Sequence, residues 1–196
     1  PPAWAAEAPI DTSAVPQQEQ QPSTLPAGWQ HGAFMEVFVR AYQDSNSDGV
    51  GDLKGLTQRL DYLKDLGIKG IWLMPITTSA DGDHGYATTD FRAIDPAYGT
   101  LEDFDELLRQ AHARGIGVIM DYVINHSSRQ HAMFVSALQG PTSPFHDWYV
   151  WEKEPPTGWD IWGKNPWTAT PQGSYFGTFG KHMPDFNFKT PAVLAK

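Results

Sequence analysis

Three short apolar segments, separated by stretches long enough for one helix each, constrain the fold of this chain most strongly. They lie at residues 34–39, 71–74 and 116–120, and the first is interrupted only by Glu36. Near-continuous apolar runs of this length are typical of strands buried on both faces, as in a parallel sheet. The sequence therefore predicts an α/β fold with parallel strands.

Two amphipathic helices are predicted between these strands. The first ends at Gly67. The second begins at Thr100, where Asp103 completes the pattern of a capping box, and ends at Gly115. The order is βαβαβ, and right-handed crossovers make it a parallel unit. The predicted buried faces consist of Leu56, Leu60 and Leu63 in the first helix and Phe104, Leu107, Leu108 and Ala111 in the second.

The connections differ in length at the two ends of the strands. Loops after the first two strands cover residues 40–53 and 75–99, whereas the returns at Gly67 and Gly115 are tight. This asymmetry is expected of a TIM (β/α)8 barrel, whose active site is built from the loops that follow the strands. We predict the first three βα units of such a barrel, followed by an irregular domain that is dense in Trp, Pro and Gly.

Three strands do not close a barrel, because open parallel edges would remain without partners. We therefore expect a C-terminal part or a companion chain to supply the remaining units of the barrel, which is incomplete in this chain. The predicted domains are a disordered leader or linker over residues 1–29, the N-terminal part of the barrel over residues 30–121, and the insertion over residues 122–196.

The chain is acidic, with a formal net charge of −9 over 196 residues. This balance argues against a nucleic-acid partner, because phosphate binding normally requires a basic face. The sequence has no apolar run long enough for a bilayer span, and it has no cysteine for disulfides or thiolate chemistry. Residues 3–8 resemble the end of a signal-peptide cleavage region, from which a secreted or periplasmic location is expected.

Oxygen-bearing side chains occupy every second position at the start of the first long loop. Carboxylate, amide and carbonyl oxygens are the ligands that Ca²⁺ prefers. The spacing resembles an EF-hand loop, but Gly55 stands where that loop needs a bidentate Glu. We predict a calcium site that is not an EF-hand, the alternative being an Asx-rich surface turn. Its ligands would be the side chains of Asp44, Asn46, Asp48 and Asp52 and the backbone carbonyl of Val50.

Three further motifs lie where predicted strands or the insertion end. They span residues 84–91 after the second strand, 121–126 after the third, and 183–187 at the end of the insertion. Each has a structural explanation when taken singly. Tyr86 is suited to packing, Asp121 to capping a helix or turn, and His126 to a buried core position.

Together the motifs resemble glycoside hydrolase family 13, the α-amylase family, from about residue 30 to the end. The sequence Asp-Tyr-Val-Ile-Asn-His at 121–126 is similar to that family's first conserved region, Asp-x-x-x-Asn-His. Residues 183–187, Met-Pro-Asp-Phe-Asn, resemble its short motif in domain B, which is the irregular insertion. Residues 44–52 resemble the calcium loop of many bacterial members, and residues 84–98 the stretch after the second strand.

The resemblance implies a role for each matched residue. Tyr86 would stack on the sugar at the cleavage subsite, because a pyranose presents an apolar C–H face to an aromatic ring. His126 would hydrogen-bond the hydroxyls of that sugar. Asp121 would orient an Arg of the fourth strand beside the nucleophile. Asn125 would be a ligand of a possible second calcium ion.

The resemblance also implies hydrolysis of α-1,4-glucosidic bonds in starch-like glucans by a retaining mechanism. Such a mechanism uses two carboxylates about 5–5.5 Å apart. In the family the nucleophile Asp and the acid/base Glu follow the fourth and fifth strands. Both are therefore expected beyond Lys196, and the chain alone is expected to be inactive. The implied substrate is an α-glucan or maltooligosaccharide.

Ala87 favours endo action within this family. Exo-acting α-glucosidases commonly place an Asp after the Gly-Tyr pair to hold the terminal sugar, and without it a glucan chain can continue past the subsite. The alternatives are an exo-acting α-glucosidase, a sucrose-cleaving or transglycosylating relative, and, from another class, a non-catalytic carbohydrate- or calcium-binding fragment.

The tryptophans of the insertion have two possible roles. They can stack on further sugar units, but their expected role is to fill the core of domain B, which has few aliphatic residues. They are Trp148, Trp151, Trp159, Trp162 and Trp167.

Overall fold

A three-stranded parallel sheet forms the centre of the fold in the computed structural model, which describes residues 24–80, 82, 84–158 and 160–195. Its strands are β1 (Ala33–Val37), β2 (Ile68–Leu73) and β5 (Gly117–Met120), in the order β1-β2-β5. Both pairings are parallel. The predicted parallel α/β unit is therefore confirmed. Residues 1–23 of the predicted leader over 1–29 lie outside the described residues, and its last residue, Trp29, is ordered against the sheet, so the leader is shorter than predicted.

The first predicted helix is divided in two, α1 (Leu53–Gln58) and α2 (Leu60–Asp65). Asp52 caps α1 by accepting a hydrogen bond from the backbone N–H of Gly55. The Thr57 hydroxyl donates to the Leu53 carbonyl over 2.8 Å, a back-bond that bends helices. The divided helix still buries its three predicted leucines, Leu56, Leu60 and Leu63.

The second predicted helix, α3 (Leu101–Ala113), begins with the predicted capping box. The Asp103 N–H donates to the Thr100 hydroxyl, and Oδ2 of Asp103 accepts from the Thr100 N–H over 3.0 Å. Buried Leu107 and Ala111 join the leucines of α1 and α2 in one apolar core between helices and sheet.

Aromatic rings cover the sheet at two glycines. A Cβ at Gly70 would collide with the ring of Phe34, and one at Gly117 with the ring of Trp29. The rings of Trp29 and Phe34 lie 5.6 Å apart. Only glycine therefore allows the chain to pass beneath these rings at both strands.

The loop after β2 contains an antiparallel hairpin that the sequence analysis missed. It consists of β3 (Thr77–Ser79) and β4 (Thr88–Ile94), with irregular register on both sides of Thr78. The hairpin carries the 84–91 motif at its turn and strand β4.

Residues 122–195 fold around a small aromatic core of their own. The elements are α4 (Ala132–Ala137), α5 (Pro191–Leu194) and an antiparallel sheet, β6-β8-β7, whose bounds are Trp151–Glu152, Gly173–Phe176 and Trp167–Thr170. Phe134, Tyr149 and Tyr175 form the centre of this core. These elements are too short to produce a readable periodicity.

Among the described residues, no helix has the length and apolar character that crossing a membrane requires.

The tryptophans of the insertion do not share one role. Trp148 and Trp151 pack in or against the aromatic core, and Trp167 packs on Phe176 with ring centroids 5.0 Å apart. The expectation that Trp162 fills the core is wrong, because this side chain is 73% exposed. Trp159 lies outside the described residues.

Candidate active site

The site lies where β2 and β5 end. The backbone N–H of Asp121 donates to the Leu73 carbonyl over 2.8 Å, which continues the pairing of these strands by one residue. The carboxylate of Asp121 accepts a hydrogen bond from the Tyr86 hydroxyl, with 3.3 Å between Oη and Oδ2. Two of the predicted site residues, 35 positions apart in sequence, are thereby in direct contact.

His126 contacts the same loop through its imidazole. Its Nε2 lies 3.0 Å from the backbone carbonyl of Tyr86, and its Nδ1 lies 3.2 Å from Nδ2 of Asn125. A carbonyl only accepts and an amide nitrogen only donates, so this arrangement corresponds to a neutral ring with its proton on Nε2. The side chain is 3% exposed. His126 therefore holds the backbone of Tyr86 while its ring borders the site.

A cavity of about 500 Å³ lies beside these residues. Its wall is largely apolar, with a few convergent polar groups, which is the usual composition of a small-molecule site. It is lined by Tyr86, Asp121, Tyr122, Val123, Ile124, Asn125, His126, Phe179 and Met183. The cavity thus contains every predicted catalytic-support or substrate-binding residue.

The motif at 183–187 reaches the site through Met183, which lines the cavity, and through its backbone. The N–H of Phe186 donates to the Asn125 carbonyl over 2.9 Å, and His126 forms an isolated antiparallel bridge with Asp185. The Asp185 carboxylate points elsewhere: it accepts from the Thr178 backbone N–H at 3.0 Å and from the Thr178 hydroxyl at 2.6 Å. The motif therefore joins the end of domain B to the cavity, and Asp185 fixes the turn before it.

The residue after His126 anchors this segment to the aromatic core of domain B. The hydroxyls of Ser127 and Tyr149 lie 2.8 Å apart, both buried. Burial raises the pKa of Tyr149 above its ordinary value, so its hydroxyl stays protonated at neutral pH. The link anchors the segment that carries His126 to the aromatic core of domain B.

Gly85 sets the position of Tyr86. Its φ is 105°, in the region that favours glycine, and a Cβ there would collide with Pro75. The next residue, Ala87, is fully buried and does not line the cavity. The chain therefore presents Tyr86 to the cavity and turns its neighbour into the interior.

The predicted calcium loop is closed by hydrogen bonds to its own carboxylates. Asp44 accepts from the backbone N–H groups of Asn46, Ser47 and Gly49 at 2.7–3.0 Å. These bonds, that from Gly49 foremost, lower the pKa of Asp44. Asp48 accepts from the Val50 N–H over 2.8 Å. The loop is thus an Asx-rich turn whose oxygens are chemically suited to Ca²⁺.

The structure brings fewer carboxylates of this loop together than their spacing predicts. Asp52 caps α1 with one oxygen and accepts from the N–H and hydroxyl of Ser45 with the other. Within the described ranges, no three His, Cys, Asp or Glu side chains form a group that could hold a metal. Asn125, the possible second-site ligand, directs its amide nitrogen at His126. The loop therefore has the types of oxygen donor that Ca²⁺ prefers, but its carboxylates do not form one cluster.

Phe179 is the site residue that the sequence analysis missed. It lines the cavity, and its ring centroid lies 5.3 Å from that of His126. Sequence offers no signal for it, because a single Phe in an irregular segment has no periodicity, and its contact with His126 spans more than fifty residues of chain.

Parallel strands whose carboxyl ends carry loops that meet at a largely apolar, aromatic-lined cavity are the arrangement expected of the N-terminal part of a (β/α)8-barrel enzyme. The family described as "Alpha amylase, catalytic domain" matches residues 36–196. The chain belongs to this family, the α-amylase family of glycoside hydrolases.

Relatives of different specificity are similar over most of the chain. Alpha-amylase 3 of Dictyoglomus thermophilum is 46% identical over 165 residues, which are 84% of this chain and 32% of that protein. Trehalose-6-phosphate hydrolase of Escherichia coli is 42% identical over 179 residues, 88% of this chain and 32% of that protein. The chain thus spans about a third of the length of these relatives.

Solved structures agree in fold. An α-amylase from H. orenii is 45% identical with a TM-score of 0.77, covering 83% of this chain and 35% of that one. Isomaltulose synthase from Erwinia rhapontici NX5 is 38% identical with a TM-score of 0.79, covering 86% of this chain and 32% of that one. The fold is therefore that of the first part of an α-amylase-family barrel, as predicted.

Proposed function

We propose that this chain supplies one wall of the active site of an enzyme that hydrolyses α-1,4-glucosidic bonds in starch-like glucans. The observation that carries the proposal is the convergence of Tyr86, Asp121 and His126 on one cavity at the carboxyl ends of parallel strands. The rest of the barrel, from the same polypeptide or a companion chain, is proposed to supply the nucleophile Asp and the acid/base Glu. This chain together with that remainder is called the complete enzyme below.

Each residue has a proposed task in a retaining mechanism. Tyr86 stacks on the sugar at the cleavage subsite, with its ring orientation fixed by the bond to Asp121. Asp121 keeps one carboxylate oxygen for an Arg of the fourth strand. His126 shapes the subsite, and a sugar hydroxyl that binds its ring must replace one of the two bonds that the ring now makes.

Endo action is proposed because the residue after Tyr86 offers no carboxylate to a terminal sugar. Ala87 is fully buried and does not line the cavity, which supports a site without a group at this position that would hold a chain end. The similarity to two proteins named α-amylase, at 46% and 45% identity, supports the same choice. Relatives named α-glucosidase and trehalose-6-phosphate hydrolase make exo action the competing outcome.

Calcium binding by the loop at 44–52 is also proposed, for stability and not for a chemical step. Its support is the donor set within residues 44–52, which consists of the side chains of Asp44, Asn46, Asp48 and Asp52 and the backbone carbonyl of Val50. A secreted or periplasmic location is proposed from residues 3–8 alone, and N-terminal sequencing of exported protein tests it.

A substrate panel tests the proposed reaction. The complete enzyme is incubated with soluble starch, maltose, trehalose 6-phosphate and sucrose, and the products are separated by chain length. The proposal expects a rapid fall in starch chain length with mixed maltooligosaccharides as early products. Release of glucose alone from chain ends would replace endo with exo action, and cleavage of sucrose or trehalose 6-phosphate without starch would overturn the substrate class.

A further inference from the structure

Trp162 stands at the tip of a tight turn in domain B. Ile161 and Lys164 form an antiparallel bridge, with both backbone N–H groups bonded to the opposite carbonyl at 2.9 and 3.0 Å. The two residues between them, Trp162 and Gly163, have φ values of 50° and 74°. Positive φ at both central positions is characteristic of a type I′ turn.

This position is unfavourable for tryptophan in two ways. The first central residue of a type I′ turn is normally Asn, Asp or Gly, since a bulky side chain is strained at positive φ. The indole is also 73% exposed, so the turn gains little from its apolar surface. Asn in the same place would close the turn with less strain. A residue that is strained and exposed at once points to a function for its side chain.

The indole lies at the outer end of a row of rings that begins in the cavity. Its centroid is 5.7 Å from that of Phe179, with the planes tilted by 36°. Phe179 is 48% exposed, lines the cavity and lies 5.3 Å from His126. The row therefore leads from the cavity to an exposed turn of domain B.

The turn that presents Trp162 is held from below. Asp160 accepts a hydrogen bond from the backbone N–H of Gly163, with 2.6 Å between nitrogen and oxygen. Together with the bridge, this bond fixes the backbone from which the indole projects. A rigid aromatic surface costs less conformational entropy on binding than a flexible one.

We propose that Trp162 and Phe179 form a stacking platform for the glucan chain outside the cleavage subsite. Phe179 faces the sugar next to the one at Tyr86 and His126, and Trp162 faces the unit beyond it. The apolar C–H faces of successive pyranose rings suit such a row. The inference rests on the proposed function, since it extends that site to substrates of at least three units.

The variant Trp162→Asn separates binding from folding. It removes the indole and places a favoured residue in the turn, so its Tm should equal or exceed that of the wild type. With maltoheptaose and the complete enzyme, KM should rise about two- to tenfold, as expected for the loss of one aromatic contact. The value of kcat should change little, because the contact is the same in ground and transition states. Trp162→Phe should restore most of the affinity.

Maltose provides the short reference, since two sugar units leave Trp162 without a partner. Its KM, or its inhibition constant against maltoheptaose where turnover is slow, should be the same in wild type and Trp162→Asn. Tyr62→Ala is the matched control, because Tyr62 is an aromatic residue 58% exposed on α2. It should leave both substrates unaffected.

The two proposals fail in different ways. A wild-type complete enzyme that turns over no α-glucan overturns the proposed function. A wild type that turns over maltoheptaose, with an unchanged KM in Trp162→Asn, overturns the platform alone. An equal rise in KM for maltose and maltoheptaose, or a lowered Tm, would also overturn it, because Trp162 would then act through the folded state.

Discussion

The hydroxyl of Tyr86 donates to Asp121 Oδ2 over 3.3 Å and thereby joins the loop after β2 to the residue that follows β5. The same Tyr86 is held through its backbone carbonyl by His126 at 3.0 Å. Tyr86 is thus held at its ring hydroxyl and at its backbone by two residues of a single motif. The orientation of the Tyr86 ring is set before any substrate enters.

The first prediction separates the two functions of Tyr86. Tyr86→Phe keeps the ring but removes the hydrogen bond to Asp121, so kcat/KM of the complete enzyme on maltoheptaose should fall about three- to 30-fold. Tyr86→Ala removes the stacking surface as well, so kcat/KM of this variant should fall further. Equal kinetics in wild type and Tyr86→Phe would show that the bond to Asp121 does not orient the ring.

The second prediction concerns His126→Asn. Because the imidazole is 3% exposed and both its nitrogens are bonded, its loss should lower the Tm and also displace Tyr86. A hydrogen-bond loss of about 1–3 kcal/mol corresponds to a fall of about five- to 150-fold in kcat and kcat/KM. Kinetics are measured beside thermal unfolding at a temperature where the variant is folded.

A variant of His126 that melts early but turns over normally when folded would contradict this. Such a result would place His126 in the structural core. It would also show that the position of Tyr86 does not depend on His126.

Calcium is predicted to stabilise the loop at 44–52. Binding to the native state alone raises the free energy of unfolding by about 2.7 kcal/mol at a hundredfold excess over Kd. Addition of EDTA should therefore lower the Tm, and Asp48→Ala should abolish that response. Asp105→Ala, an exposed carboxylate on α3, is the control. A Tm indifferent to EDTA in the wild type would remove the calcium site from the account.

The pH dependence of stability is predicted to include His131. Its Nδ1 caps α4 by accepting from the Met133 N–H over 3.1 Å, and burial lowers its pKa despite the charge of Asp90. The unfolded state then binds a proton at about pH 6.5, before the folded state does. Stability is complete above that pH and falls as the pH drops below it.

His131→Asn tests this directly, since Asn is also a good cap but does not titrate in this range. Unfolding curves between pH 5 and 8 should show a shallower fall in stability for the variant. Identical slopes would exclude His131 as the titrating group.

Local rules explain which parts of the fold were predictable. The capping box of Thr100 and Asp103 and the apolar face of α3 depend on neighbours within a few residues. The capping box is confirmed, and of the predicted face Leu107 and Ala111 are buried, whereas Phe104 and Leu108 are only partly so. Parallel strands buried on both faces leave long apolar runs that sequence reveals. The division of α1 from α2 at Arg59 was not visible, because no proline or glycine marks it in the sequence.

The site was predictable as far as its motifs reach. Residues 84–91 and 121–126 both follow strands of one sheet, and this is sufficient to bring Tyr86 to Asp121. The contact of Phe179 with His126 and the exposure of Trp162 depend on how an irregular domain folds back on the cavity. Neither has a local signature, so the core role expected for Trp162 was wrong.

The most direct test of the central claim is the anomeric configuration of the first product. The complete enzyme is mixed with maltoheptaose, and the new reducing end is followed by proton NMR before mutarotation. A site built for a retaining two-carboxylate mechanism must release the α-anomer first. Initial release of the β-anomer, or no cleavage by the folded complete enzyme, would contradict the account.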